Sequence, residues 1–118
     1  MKQENPTFEK ILFQAAYEGM NVIGNSVPSA IIPYLEKTGS IESSGVIANF
    51  EAFDKDLKKI FGFGAKIIEK KILEILCSKL QISQKLDNDF DFDDVIKDIK
   101  RKFHSKEVQV TLAETVNV

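Results

Sequence analysis

Apolar residues recur at helical spacing along most of the chain. Phe8, Ile11, Leu12, Ala15, Ala16 and Ile23, with Met20 on the same stripe, follow a 3.6-residue period. Asn5-Pro6 supplies a start, a capping side chain followed by proline at the first helical position, and Gly24-Asn25 a stop. Ala15, Ala16 and Gly19 keep part of the stripe small, which predicts a close crossing with a neighbouring helix. Ser26 caps a second helix through Ala30, Ile31, Tyr34 and Leu35, and Gly39 ends it. Pro33 falls inside that helix, lacks a donor and clashes with the Ser29 carbonyl. The helix is therefore expected to be short, kinked, or to begin after Ser26. Residues 39–48, GSIESSGVIA, read as a loop pinned to the core by Ile41, Val46 and Ile47.

Asn49 caps a third helix with Phe50, Phe53, Leu57, Ile60 and Phe61 on one face. Gly62 closes it and Gly64 opens the fourth, so Phe61, Gly62, Gly64 and Ala65 form a structural corner. In the fourth helix Ala65, Ile68, Ile72, Ile75, Leu76 and Leu80 form a stripe that Ile67, Leu73 and Cys77 widen. So broad an arc belongs to a helix packed on more than one neighbour. A fifth helix starts at Asp91, with Phe90 stapled onto Val95 and Asp93 and Asp94 at the positive end of the dipole. Phe92, Val95, Ile96, Ile99 and Phe103 keep its period, and Lys100 to Lys102 sit at its negative end. Beyond it Val108, Val110 and Leu112 alternate, as in a short strand, an extended segment on a partner, or a frayed tail.

The succession YLEKTGSI, then NFEAFDKDLKKIFGFGAKIIEKKIL, then DFDFDDVIKDIKRKF resembles a small helical domain of archaeal signalling proteins, the Nitrosopumilus-type output domain. The resemblance spans about residues 8–103, and its sharpest element is Ile60-Phe61-Gly62-x-Gly64-Ala65-Lys66-Ile67-Ile68-Glu69. The fourth helix departs from the pattern by ending Leu80-Gln81-Ile82, without a glycine stop. The resemblance implies an output or interaction module without catalysis, and it carries over no functional residues.

Composition narrows the classes. With 118 residues, 43% apolar and 29% charged, the chain fits one globular domain. A net charge of −2 with both signs interspersed argues against a generally nucleic-acid-binding surface. A single cysteine forms no internal disulfide, so a reducing, cytoplasmic location is expected. The start MKQENPTFEK lacks a signal-type apolar core, and no apolar run approaches the roughly 20 residues of a membrane span.

Five constellations suggest chemistry, and each has a structural explanation. Asp87, Asp89, Asp91 and Asp98 fall at the first, third, fifth and twelfth positions of a calcium loop. Phe92 occupies the place of its turn glycine, so helix capping accounts better for the run. Cys77 lies in an apolar arc without a histidine in sequence reach, as a small hydrophobe does. His104, the one histidine, cannot complete a zinc site with one cysteine. Gly62 and Gly64 with Lys66 lack the preceding strand and pattern of a phosphate loop. Lys55, Lys58, Lys59, Lys66, Lys70 and Lys71 around the corner suggest a helix-turn-helix, yet the fourth helix has no arginine or asparagine to read bases.

The sequence therefore predicts an all-α fold: a compact single domain of about five helices over residues 5–103, with a central fourth helix and an extended or flexible C-terminal tail over 104–118. The expected function is a non-enzymatic interaction or output module of archaeal intracellular signalling. No cofactor or metal is expected. The partner is expected to be a protein, a second copy included, with Val108, Val110 and Leu112 as an edge-pairing contact. The alternative is a small DNA-binding regulator using the Gly62–Gly64 corner, and a ligand pocket among the nine phenylalanines stays open.

Overall fold

A computed structural model describes residues 7–116, with side chains from 7 to 106. The first helix, α1 (Phe8–Ile23), is capped by Thr7, whose side chain accepts from the Lys10 amide. The expected start at Asn5-Pro6 lies outside the described residues. Phe8, Leu12, Ala15, Ala16, Gly19 and Met20 are its buried face, whereas Ile23 is half exposed at its last position.

Helix α2 (Val27–Thr38) follows Ser26, which makes no side-chain capping bond, and places Pro28 in its first turn. Pro33 sits inside the helix without shortening it. Pro33 and Ser29 both face solvent, where water can satisfy the carbonyl that proline leaves without a donor. Gly39, with φ 84°, ends α2 in a left-handed turn: its amide donates to Glu36 and that of Ser40 to Leu35.

The segment expected as a loop is a small antiparallel sheet, so the fold is mostly helical but not purely so. Strands β1 (Ile41–Glu42) and β2 (Val46–Ile47) pair Ile41 with Ile47 and Glu42 with Val46. Gly45, with φ 84°, closes the Ser43-Ser44-Gly45 turn by donating to the Glu42 carbonyl. Ile41 and Ile47 enter the core as expected, while Val46 is only half buried.

Helix α3 (Phe50–Phe61) starts at Asn49, whose Oδ1 accepts from the Ala52 amide at 2.9 Å. A one-turn 3₁₀ segment (Gly62–Gly64) leads into α4 (Ala65–Leu80). Helix α4 packs against α1, α3 and α5, with Ile72, Leu73 and Leu76 fully buried. The close crossing predicted from small residues is the α1–α4 contact. A Cβ added to Gly19 would lie 2.9 Å from Ile72 Cγ1. Without a glycine, α4 stops by placing Gln81 in the left-handed region at φ 54°. The Ile82 amide donates to Cys77 and the Gln81 amide to Ser78. Lys106 Nζ donates to the Leu80 and Gln81 carbonyls beside it.

Helix α5 (Phe92–Val116) is capped by Asp91, whose Oδ1 accepts from the Asp94 amide at 3.0 Å. Where an extended tail is expected from residue 104, the backbone of α5 is helical as far as Val116. No glycine or proline follows Phe103, and each further helical residue adds a backbone hydrogen bond. Ring contacts Phe8–Phe50, Phe8–Phe103 and Phe53–Phe92, with centroids near 6.0 Å, join α1, α3 and α5 in a compact globule.

Candidate functional site

The corner between α3 and α4 gathers the four residues singled out from the sequence into one turn. Phe61 is half buried, Gly62 caps α3, Gly64 precedes α4, and Ala65 is buried. Gly62 has φ 56° and ψ −126°, a conformation that L side chains rarely adopt, and this turns the chain outward. What the turn displays is Phe63, whose side chain is 104% exposed and makes it the most exposed large apolar residue among those described. Ile67, expected to widen the core arc, points outward at 76% exposure. Ile60, expected on the buried face of α3, is 37% exposed. Ile60, Phe63 and Ile67 thus leave exposed apolar side chains on both sides of the turn and at its tip.

Lysines flank this tip. Lys55 pairs with Glu51 and Lys58 with Asp54, each one turn back on α3. Lys66 donates to the Phe90 carbonyl and lies 4.2 Å over the Phe90 ring, which ties α4 to the start of α5. Among the described residues no carboxylate pairs with Lys59, Lys70 or Lys71. On the α3 side an open groove of about 560 Å³ runs over Thr38, Ala52, Lys55, Asp56, Lys58 and Lys59. Asp56, buried at its base, accepts from the Thr38 hydroxyl and fastens α3 to the end of α2. No phenylalanine lines this groove.

Beneath the corner lies a feature the sequence reading missed. Glu69 of α4 is 0% exposed, and among the described residues no donor reaches either of its carboxylate oxygens. Asp54 of α3 is also buried, and its Oδ1 lacks a donor too, while its Oδ2 accepts from Lys58 Nζ at 3.1 Å. Burial first, then the hydrogen bond and charge of Asp54, push the Glu69 carboxyl up to about 8 against the opposing pull of Lys58 and Lys66. The bond to Asp54 in turn raises Lys58. A sequence signal existed: Glu69 stands four positions after Ala65 and three before Ile72, inside the apolar stripe.

The other candidates fall into place individually. Asp91 is spent on capping α5, and Asp93 pairs with Lys97. Among the described residues no group of three or more histidine, cysteine, aspartate or glutamate side chains is arranged to hold a metal ion. Burial pushes the half-buried Cys77 thiol up, with Lys102 pulling weakly the other way. His104 contacts the Phe103 ring edge-on at 5.4 Å. The proposed partner contact at Val108, Val110 and Leu112 falls on helical backbone of α5, and those side chains lie outside the described residues. Among the described residues no helix is long and apolar enough to cross a membrane. The chain matches no protein-family model, no curated protein and no solved structure.

Proposed function

We propose that the chain is a non-enzymatic interaction module that inserts Phe63, flanked by Ile60 and Ile67, into a partner protein. The partner carries an apolar recess rimmed by carboxylates. The observation that supports this is the display of Phe63: a phenylalanine wholly in solvent, held there by a glycine-specific turn. Buried aromatic anchors dominate binding energy at protein interfaces. The carboxylate rim follows from Lys59, Lys70 and Lys71, with which no carboxylate pairs among the described residues. Two copies meeting corner to corner would oppose lysine to lysine, so the partner is a different protein. Ile67 occupies an outward position where a groove-reading helix needs a donor or acceptor, which favours protein over DNA. The setting we propose is the intracellular archaeal signalling that the sequence resemblance implies.

The test compares the immobilised full chain with its Phe63→Ser variant in native lysate. The expected result is a protein retained by the parent and lost from the variant. Identical retained sets contradict the reading. Nucleic acid retained and released by moderate salt would favour the DNA alternative instead.

A further inference from the structure

Two buried carboxyl groups that leave three oxygens without donors need an explanation that the interaction surface does not supply. Glu69 on α4 is 0% exposed with neither oxygen reached by a described donor, and the buried Asp54 on α3 acts on it both through a side-chain hydrogen bond and through its charge. Three of their four oxygens receive no hydrogen bond from other described groups. A pair of acceptors in contact is repulsive unless one of them carries a proton. The geometry points to a proton-binding site: Asp54 and Glu69 hold one proton between them, Glu69 donating to Asp54 Oδ1, and its loss loosens α3 from α4.

The surrounding charges fit one retained negative charge rather than two. From α3, Lys58 faces the pair and is already bonded to Asp54 Oδ2. From α4 itself, Lys66 contributes its charge but is held by the Phe90 carbonyl and ring. From the start of α5, Asp91 acts on Lys58, and Asp93 is bonded to Lys97. The face of α1 against α4 is apolar, and its acidic Glu18 is paired far along α4 with Lys79. Among the described residues Lys58 is the cation bonded directly to the pair, and it balances a single carboxylate. When the Glu69 O–H bond breaks, its proton passes to water and its electron pair stays on the carboxylate. A second buried negative charge then stands at the α3–α4 contact, whose corner carries Phe63.

The experiment uses the full chain with ¹³C-labelled glutamate and does not involve any partner. One glutamate carboxyl is expected to titrate near pH 8, to vanish in Glu69→Gln, and to move to lower pH in Asp54→Asn. Amide exchange across residues 50–80 is expected to accelerate above pH 8 more in the parent than in Glu69→Gln. If every glutamate titrates in the ordinary acidic range, or if exchange in the two proteins runs in parallel, the proton site is overturned. A functional surface at Phe63 could fail its own test without affecting this one.

Discussion

Replacing Glu69 by glutamine removes a proton-binding group from the interior, and its effect on stability has a definite sign. The Glu69 carboxyl is pushed from an ordinary 4.5 up to about 8. Between those values the folded protein binds a proton that the unfolded chain has released, so stability falls as pH rises through this window. Below it both states are protonated, and above it both are ionised, so the curve is flat at each end. At about 1.36 kcal/mol per pH unit, the parent loses roughly 3–4 kcal/mol between pH 5 and 9 through this group, an upper figure because local relaxation admits water. Glutamine keeps the shape, cannot ionise, and its amide donates to Asp54 Oδ1. Urea unfolding of both proteins at intervals from pH 5 to 9 measures the difference. Glu69→Gln is expected to match the parent within about 1 kcal/mol at pH 5 and to exceed it by about 2 kcal/mol or more at pH 9. Superimposable pH profiles, or a variant less stable at pH 9, would refute the reasoning.

Other substitutions probe the rest of the account. Gly62→Ala forces an L side chain into φ 56°, although nothing lies within 4 Å of the added carbon, so a loss of about 1–3 kcal/mol in chemical denaturation is expected from backbone strain alone. Gly19→Ala drives a methyl against buried Ile72 and should cost about 1–2 kcal/mol despite better helix propensity, with less than additive loss alongside Ile72→Ala. Gln81→Gly relieves the left-handed stop of α4 and should raise stability by about 1 kcal/mol, read from the denaturation midpoint. Phe63→Ser removes a side chain that is wholly exposed among the described residues, and stability should stay within about 0.5 kcal/mol of the parent.

Local signals were legible where one residue type does one job. Asn49 and Asp91 cap their helices, Gly24, Gly39 and Gly62 end theirs, and the small stripe through Gly19 marks the α1–α4 crossing. The hairpin was not legible because strands of two residues carry no measurable alternation. The end of α5 misled because Val108, Val110 and Leu112 alternate over five positions, while Val108 and Leu112 are equally a helical i, i+4 pair. Ile67 departs from its expected core position because periodicity assigns an arc but not its limits, and among the described residues that edge of α4 is exposed. The candidate site was only half legible. The glycines announced a corner, but Phe63 stood unremarked between them. The meeting of Asp54 with Glu69 depends on how α3 and α4 pack across the corner.

The central claim, that Phe63 is the anchor of a protein contact, is tested most directly by a photo-reactive phenylalanine analogue at position 63 in the full chain, irradiated in cells. The account predicts a discrete heterologous protein adduct whose cross-link maps beside acidic residues, and none from the same analogue at exposed Tyr17. No adduct from position 63, or the same adducts from both positions, would contradict it.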